Sequence, residues 1–464
     1  MAIWTPDLSS RDGPKYLRIV EAMAEDITTG RLLPGTRLPP HRELAYQLEV
    51  SPNTTSRAYA EAVKRALLKG EVGRGTFVRS NDAVAGQAEP ETLRRSENGP
   101  IDLSRNLPLP GFSEQHIRRV LAEIATDAGL RSLLDYQTDA DLGHHRAAGQ
   151  AWLESCGLTS DLECVIPVVG GQHGILSVLM ALLQPGDLLL AEALTYTPVL
   201  TMATRLELRT GVVAIDQEGV VPEAFEEWCN AANPKAFYLT PTLQAPTTIT
   251  LSKARRTRIA EIAARYDVIL IEDDVFGPLK SNKPAPLAQI APETTIYVTS
   301  LSKSVAPGLR VGFLKAPAKL AAALHQSVNL SVWMTPPLTL EVASRLIEDG
   351  TAAKLADQQQ RVAKLRQQLA QRVLGADAIP NLSDGFHLWL PLPEGWRADV
   401  FRAECASLNV QVSEGRSFAV NAGDAPEAIR LCVSHEANEE RLQLGLETVA
   451  GVLRQKPNGF SMVI

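Results

Sequence analysis

The sequence predicts an α/β protein in which a small helical module precedes a larger domain with a mainly parallel central sheet. After residue 100, short apolar runs alternate with helical patterns, which is typical of a parallel sheet covered by helices. Before residue 80, three short helical patterns precede a hairpin. The polar residues 81–100 lack apolar periodicity and are predicted to be a linker. We therefore predict domains at 1–80 and 101–464.

The charge of the chain is unevenly distributed. The 464 residues are 45% apolar and 21% charged with a net charge of −7, so the whole chain does not resemble a basic nucleic-acid binder. Residues 1–80, however, carry 12 Lys and Arg against 9 Asp and Glu. A mildly basic head on an acidic body fits a small nucleic-acid-binding module attached to a larger domain.

The cysteines and the N-terminus predict a cytoplasmic protein. Five cysteines are scattered without a CxxC pair, which indicates reduced thiols. The N-terminus lacks the basic and apolar pattern of a signal peptide. No uninterrupted apolar run approaches the roughly 18 residues of a membrane span, so we expect no membrane partner.

The first 80 residues predict three helices and a two-stranded hairpin. Pro34-Gly35 ends the first helix, and the third begins with Ser51 as N-cap and Pro52 in its first turn. Gly73-Arg74-Gly75 marks the turn of the hairpin. The predicted elements are helices at 14–33, 42–48 and 51–68 and a hairpin at 71–78.

This module resembles the winged helix-turn-helix of the GntR family of transcription regulators. The resemblance rests on the segments Leu33–Pro39, Arg42–Ala45 and Ser51–Tyr59 and on the wing Gly73–Val78. It implies binding to a double-stranded DNA operator, with the third helix in the major groove. The residues implied as DNA contacts are Arg37, Arg42, Asn53, Thr54, Thr55, Arg57, Arg74 and Thr76.

The chemistry of these side chains fits that role. The start of the third helix offers free backbone N–H groups beside Asn53 and Thr54, which can meet phosphates or base edges. Arg57 suits a bidentate contact with guanine or a phosphate, and Arg74 at the wing tip suits the minor groove. The alternative for any one arginine is a solvated surface charge. The residues predicted as core of the module are Leu44, Ala45, Leu48, Tyr59, Val63 and Leu67.

From about residue 100 onward, the chain resembles the aminotransferase class I/II family. Two motifs carry most of the resemblance, Thr299–Gly312 and Ile269–Asp274. They imply a fold-type I domain that binds pyridoxal 5′-phosphate (PLP), with a smaller C-terminal α+β subdomain. Together the two halves are similar to the MocR/GabR group of GntR regulators. The strands predicted for the central sheet are 165–169, 188–191, 236–239, 268–271, 295–298 and 310–314.

The resemblance identifies Lys303 as the Schiff-base lysine for PLP. A desolvated lysine near the end of a strand can lose its proton and act as a nucleophile. Ser300, Ser302 and Arg310 are implied to hold the phosphate through charge-assisted hydrogen bonds. Asp273 is implied to pair with the pyridine nitrogen and keep the ring protonated. The alternative for Lys303 is a surface lysine in a loop. The alternative for an acid at the end of a strand, such as Asp273, is a helix cap.

Further residues are assigned by the same resemblance. A Gly-Gly turn follows a strand and opens a helix, so Gly171 and Gln172 are predicted to bind the phosphate. Tyr196 stands where the family stacks an aromatic ring on the cofactor. Arg430 stands where the family binds a substrate carboxylate, which implies a carboxylate-bearing amine effector. Tyr136 is expected to reach the phosphate in the partner subunit.

Two positions depart from the family pattern. The family usually has Asn where this chain has Ala245, and Tyr where this chain has Phe276. Both of those family residues donate hydrogen bonds to the phenolic oxygen of PLP. Their loss should make that oxygen more basic and loosen control of the cofactor ring. We therefore expect little or no turnover, and the same losses weaken the case for PLP itself.

The sequence thus favours a transcription regulator that senses PLP, together with an amine or amino-acid effector. The resemblance implies a head-to-tail homodimer. One alternative is a working aminotransferase with an accessory DNA-binding domain. Another is a regulator whose large domain is a PLP-free dimerisation scaffold. The sequence predicts no metal site.

Overall fold

The chain divides into two compact units, residues 1–93 and 94–464. The computed structural model describes residues 4–6, 8, 13–28, 31–32, 36–64, 67–71, 75–78, 99–379 and 382–455. Most of the proposed linker lies outside the described residues, so the domain limits at 80 and 101 stay a prediction. Among the described residues, none of the helices combines the length and apolarity that a membrane span requires.

The N-terminal unit contains three helices followed by a hairpin. Its elements are α1 (Lys15–Thr28), α2 (His41–Gln47), α3 (Pro52–Lys64), β1 (Leu68–Glu71) and β2 (Gly75–Val78). Ser51 caps α3, because its Oγ accepts a hydrogen bond from the backbone N of Thr54 at 3.2 Å. The helix ends before the predicted residue 68, because Leu68 already pairs with Val78 in the antiparallel hairpin.

An apolar core holds this unit together. Met23 of α1, Leu44 of α2 and Tyr59 of α3 are buried in it. The Tyr59 hydroxyl keeps a hydrogen bond there by donating to the backbone O of Pro39 at 2.8 Å. The prediction of Val63 as a core residue is wrong, because its side chain is 46% exposed at the edge of the buried stripe of α3.

The large unit alternates helices and strands. Its helices are α4 (Glu114–Thr126), α5 (Leu130–Leu133), α6 (Gly143–Ser155), α7 (Gly170–Leu182), α8 (Pro198–Arg205), α9 (Pro222–Ala232), α10 (Lys253–Tyr266), α11 (Leu287–Ile290), α12 (Ala318–Val332), α13 (Pro337–Glu348), α14 (Thr351–Leu374), α15 (Ala398–Ser407) and α16 (Glu439–Leu453). Its strands are β3 (Ile101–Asp102), β4 (Val165–Val168), β5 (Leu188–Glu192), β6 (Arg209–Val213), β7 (Ile215–Asp216), β8 (Gly219–Val220), β9 (Ala236–Leu239), β10 (Ile269–Asp273), β11 (Thr295–Ser300), β12 (Gly312–Lys315), β13 (His387–Pro391), β14 (Val410–Gln411), β15 (Ser413–Glu414) and β16 (Ala428–Cys432).

The central sheet is mainly parallel, as predicted. Among the described residues it has the strand order β4-β12-β11-β10-β9-β5-β6. β12 is antiparallel to both of its neighbours, and the other pairs are parallel. Helices on both sides provide the crossovers that parallel strands require.

Both faces of the sheet are buried. Alternate residues of a strand face opposite sides, so Leu188 and Leu190 pack with Ile259 of α10, while Leu189 packs with Ile175 of α7. A strand buried on both faces appears in the sequence as a continuous apolar run. For this reason, the apolar runs of the sequence predict the interior strands of the sheet.

The strand predictions missed β6 at the edge of the sheet. Arg209 and Thr210 are exposed there, and Gly211 interrupts the apolar pattern. The strand predicted to begin at Arg310 begins at Gly312, because Arg310 has a left-handed φ of 53° that a strand cannot continue.

The last part of the chain forms the smaller α+β subdomain. A three-stranded antiparallel sheet has the order β13-β16-β15. It packs with α14, α15 and α16 around a core that includes Phe401, Ile429 and Leu446. This sheet carries Arg430 on its central strand β16.

Candidate functional site

The residues predicted to bind PLP gather around one cavity of the large unit. Parallel strands end at a common edge, which is the usual ligand site of an open α/β sheet. Asp273 ends β10, Ser300 ends β11, and Gly171 lies in the first turn of α7 just after β4. The cavity has a volume of about 190 Å³. The predicted residues that line it are Gly171, Gln172, Tyr196, Asp273, Ser300, Ser302, Lys303, Arg310 and Arg430.

Glycines keep one end of this cavity open. A Cβ on Gly170 would lie 2.6 Å from the Nη2 atom of Arg310, and a Cβ on Gly171 would lie 3.0 Å from the side chain of Val275. Gly170 also has a left-handed φ of 77°, which favours glycine. A side chain at either position would therefore fill the space in front of the helix start.

The same end is suited to an anion. The first backbone N–H groups of α7 have no partner within the helix and carry its positive dipole end. Arg310 donates from Nη2 to the backbone O of Val169 at 3.2 Å, which holds its guanidinium beside the helix start. Ser300 and Ser302 add hydroxyl groups at the end of β11. Such a set of donors fits a phosphate group.

Asp273 is a buried carboxylate in the lining of the same cavity. The Tyr238 hydroxyl donates to its Oδ2 at 2.6 Å, and the backbone N of Val275 donates to its Oδ1 at 3.3 Å. Burial raises the pKa of Asp273 to about 6, although the Tyr238 hydrogen bond opposes that shift. A fixed carboxylate in this position can accept a hydrogen bond from a protonated ring nitrogen.

Lys303, the predicted Schiff-base lysine, places its amine in the cavity. Its Nζ donates to the backbone O of Asn106 at 2.5 Å and lies 5.5 Å from the ring centre of Phe276. Burial lowers the pKa of Lys303 to about 8, although the neighbouring Cys432 thiol opposes that shift. A lysine with a pKa near neutrality keeps part of its amine uncharged and reactive.

The wall beside Lys303 is apolar at the two departures from the family. Ala245 and Phe276 both line the cavity, and both side chains are buried. Neither residue has a side-chain donor for a ligand oxygen. The structure thus places both departures in the same cavity as the residues predicted to bind PLP.

Arg430 extends from β16 to the same cavity. It donates a short hydrogen bond from Nη2 to the backbone O of Ser104, and its guanidinium lies 4.6 Å from the ring centre of Phe418. The Nε atom is buried without a hydrogen-bond partner among the described residues. Arg430 forms no ion pair with an acid in that part of the chain, so its charge is available to a ligand carboxylate.

Sequence reasoning missed a polar pair beside Lys303. His387 lies with Nε2 3.2 Å from the backbone O of Gln244 and Nδ1 3.0 Å from the amide N of Asn106. Because a carbonyl only accepts, Nε2 must carry the hydrogen and Nδ1 must accept from Asn106. Burial lowers the pKa of His387 to about 3, so the ring stays neutral. A lone histidine in an otherwise apolar strand gives little signal in a sequence.

Tyr136 does not line the Lys303 cavity of its own chain. Its side chain is 76% exposed and packs edge-to-face against Trp333 with ring centres 6.0 Å apart. The prediction that Tyr136 reaches the phosphate in a partner subunit stays a prediction.

Most of the predicted DNA contacts lie at the surface of the N-terminal unit. Asn53 is exposed in the first turn of α3, next to Thr54, whose backbone N–H donates to Ser51. Arg74 lies outside the described residues. The contacts that are exposed or partly exposed are Arg37, Arg42, Asn53, Thr54, Arg57 and Thr76.

The structure corrects the prediction for Thr55. This residue is fully buried, and its hydroxyl donates to the backbone O of His41 at 2.8 Å and of Pro52 at 3.0 Å. It joins α3 to α2 and cannot reach DNA. Arg57 is exposed but already engaged, because its guanidinium lies 4.0 Å from the ring centre of Tyr16.

These observations define a protein with a DNA-binding helix-turn-helix unit and a PLP-binding aminotransferase-like unit. The chain belongs to the aminotransferase class I and II family, whose model matches residues 98–446. The model of the gntR family of bacterial regulatory proteins matches residues 15–78. The protein is a GntR-type transcription regulator with an aminotransferase-like domain, as the resemblance to the MocR/GabR group predicts, and its cofactor is PLP.

Relatives share the full arrangement of two units. The HTH-type transcriptional regulator YdeF of Bacillus subtilis is 29% identical over 96% of this chain and 95% of its own length. The vitamin B6 salvage pathway transcriptional repressor PtsJ of Salmonella typhimurium is 26% identical over 89% of this chain and 93% of its own. The kynurenine aminotransferase of Pyrococcus horikoshii has the same fold as the large unit, with a TM-score of 0.73 and 23% identity over 82% of this chain and 98% of its own.

Proposed function

We propose that this protein regulates transcription in response to PLP and that its large unit has little or no aminotransferase turnover. One observation carries the proposal: the cavity that holds Lys303 and Asp273 also contains Ala245 and Phe276. The first pair supports binding of PLP, and the second pair removes donors that a catalyst of this family uses. The repressor of vitamin B6 salvage among the relatives supports a response to this cofactor.

The residues present fit PLP in charge and in shape. Arg310, Ser300 and the start of α7 would hold its phosphate, and Asp273 would hold its ring nitrogen. When bound, PLP supplies an aldehyde that condenses with amines. Lys303 is poised for that attachment, because its lowered pKa of about 8 leaves a reactive amine.

The proposed second ligand is an amine that carries a carboxylate. Among the described residues Arg430 has hydrogen-bond partners but no acidic one, and it lines the cavity that holds Lys303. A guanidinium without an acidic partner can bind a ligand carboxylate through two parallel hydrogen bonds. An amine on the same molecule would lie close to the Lys303 end.

On the DNA side, the proposed reader is the exposed start of α3 with the arginines around it. We propose a head-to-tail homodimer, because paired readers match the two-fold symmetry of operators. Such a protein would act in the bacterial cytoplasm. The mass of the full-length protein in solution, measured by light scattering, tests the dimer.

The decisive experiment on the cofactor is visible absorbance of the full-length protein with added PLP. We expect a yellow band in the wild type and in Lys319→Ala, which removes an exposed lysine of α12. We expect the band to be absent in Lys303→Ala. Absence of a band in all three proteins would contradict PLP sensing and would leave a PLP-free dimerisation scaffold.

A working aminotransferase is the second candidate. The lowered pKa of Lys303 and the buried Asp273 favour it, because an active enzyme also needs both. Single-turnover mixing of the PLP-loaded protein with amino acids separates the two candidates. Conversion of the bound cofactor to its amine form within seconds would establish an enzyme, whereas spectral binding without conversion is expected for a sensor.

A further inference from the structure

A second cavity of the large unit lies between α6 and α13, and Lys303 does not line it. It has a volume of about 530 Å³ and is lined mainly by polar side chains. His144 and His145 in the first turn of α6 face Glu341 of α13, and one ligand atom from each of the three lies within 4.8 Å of the others. We propose that these three residues bind a divalent transition-metal ion such as Zn²⁺.

The face of α13 that meets α6 is polar where a packed helix is usually apolar. Glu341, Ser344, Arg345 and Glu348 follow the spacing i, i+3, i+4 and i+7, which places them on one face. Glu341 and Ser344 are buried. Burying polar groups is costly unless they have partners. Ser344 pairs with His145 and Oε1 of Glu341 with Arg345, and a bound cation would give Oε2 of Glu341 a partner as well.

The distances suit a shared ion. Nε2 of His144 lies 3.3 Å from Oε2 of Glu341, and Nδ1 of His145 lies 3.9 Å from the same oxygen. Zinc–nitrogen and zinc–oxygen bonds of about 2.1 Å put neighbouring tetrahedral ligands about 3.4 Å apart. Nδ1 of His145 also lies 2.9 Å from Oγ of Ser344, so binding of an ion would exchange that hydrogen bond for a metal bond as the side chains rotate. The open cavity leaves a fourth position for water.

The outer contacts match those of metal-bound ligands. Nδ1 of His144 lies 3.0 Å from Oε1 of Glu348, which fixes the ring with Nε2 toward Glu341. Ligating histidines usually donate their other ring N–H to a carboxylate in this way. Arg345 donates from Nε to Oε1 of Glu341 at 2.6 Å, so Oε2 stays free for an ion.

The local charge also favours a dication. Arg345 is itself balanced by Asp127 at 2.7 Å, so it does not cancel the charges of Glu341 and Glu348. A neutral His144 can donate to only one of those two carboxylates, and its other nitrogen then presents a lone pair to an oxygen. A metal ion between Nε2 of His144 and Oε2 of Glu341 would accept both lone pairs and so remove their repulsion. The competing arrangement has no metal, and the two ring nitrogens of His144 contact Glu341 and Glu348 directly.

The test is titration of the full-length, PLP-loaded protein, freed of excess PLP, with Zn²⁺ by calorimetry and with Co²⁺ by visible absorbance. We expect one ion per chain in the wild type and loss of binding by at least 100-fold in His144→Ala and in Glu341→Gln. Glu348→Gln should weaken binding by about 10- to 100-fold, the usual effect of removing an outer partner. His116→Ala, which removes an exposed histidine of α4 outside the cluster, should change nothing.

Thermal melts keep this test independent of folding defects. Zn²⁺ should raise the melting temperature of the wild type and of His116→Ala but not of His144→Ala, whose ring is about half exposed and dispensable for packing. Equal binding in all variants, or no saturable site in the wild type, would overturn the proposal. The second result would leave His144 as a direct bridge between Glu341 and Glu348 without a metal.

Discussion

At the scale of single residues, substitutions at Ala245 and Phe276 test whether missing hydrogen-bond donors account for the proposed low turnover of the large unit. We predict that Ala245→Asn with Phe276→Tyr lowers the pKa of the Lys303-linked chromophore, because donors to the phenolic oxygen stabilise its charged form. A hydrogen bond to a charged group contributes about 1.5–3 kcal/mol, and one pKa unit corresponds to about 1.4 kcal/mol. Each restored donor should therefore shift the titration by about 1–2 units, as measured by absorbance against pH.

Phe276→Leu is the matched control for that titration. It changes the same wall of the cavity without adding a donor, so the chromophore should titrate as in the wild type. A wild-type chromophore that already deprotonates near neutral pH would contradict this account of Ala245 and Phe276. The proposal of low turnover would then need a cause elsewhere in the cavity.

Lys303 gives a second prediction at this scale, on the pH dependence of PLP attachment. Only the neutral amine attacks an aldehyde, and the amine is neutral above its pKa, which burial lowers to about 8. The rate of attachment to the PLP-free protein should therefore rise with pH and level off above about 8, as followed by stopped-flow absorbance. A rate that still climbs tenfold per unit near pH 9.5 would show that Lys303 has an ordinary pKa.

The contrast between predicted and missed site residues has a physical cause. Lys303 and Asp273 stand in motifs whose neighbours in the chain also take part in the site, so local sequence identifies them. Asn106, Tyr238 and His387 reach the site from separate segments, and tertiary packing alone brings them together. The burial of Thr55 cannot be predicted from the sequence either, because a polar residue in an amphipathic helix is normally expected on its exposed face.

At the scale of elements, α3 has one face that we propose reads DNA and one that packs on α2. We predict that Thr55→Val lowers the free energy of unfolding by about 1 kcal/mol, because it removes the hydroxyl donor to His41 and Pro52. Asn53→Ala should change that free energy by less than about 0.5 kcal/mol. Denaturant unfolding of the two variants measures both effects.

For DNA affinity we expect the opposite ranking, with Asn53→Ala more affected than Thr55→Val. Loss of a base contact at Asn53 should weaken binding to a duplex selected from a random pool by about 5- to 150-fold, which corresponds to about 1–3 kcal/mol. Thr55→Val should bind the same duplex as the wild type at a temperature where both are folded. Equal affinities for Asn53→Ala and the wild type would exclude Asn53 as a DNA contact.

Elements were predictable where burial imposes a pattern. The interior strands of the sheet are apolar on both faces, whereas β6 at the edge is half exposed and interrupted by Gly211. The polar face of α13 shows the converse, because the buried Glu341 and Ser344 give a packed face the sequence pattern of a solvated one. Pattern reasoning therefore fails where an element buries polar groups or leaves an edge open, and functional sites favour both situations.

At the scale of the whole molecule, a PLP sensor requires that the cofactor and the operator influence each other. If PLP changes DNA affinity by some factor, DNA must change PLP affinity by the same factor, since linkage is reciprocal for binding free energies. We predict a factor of about 5 to 150, in either direction, which is the usual range of such coupling. Lys303→Ala should abolish it while keeping the DNA affinity of the PLP-free wild type.

Both directions can be measured on the full-length protein with one selected duplex. DNA affinity is titrated by fluorescence anisotropy with and without PLP, and PLP affinity is titrated by absorbance with and without the duplex. Equal factors would establish that PLP occupancy reaches the DNA-binding unit. The opposite result would be a DNA affinity that is unchanged by PLP in a protein that still binds PLP by absorbance. It would show that the cofactor serves the fold or an enzymatic reaction of the large unit and does not control transcription by itself.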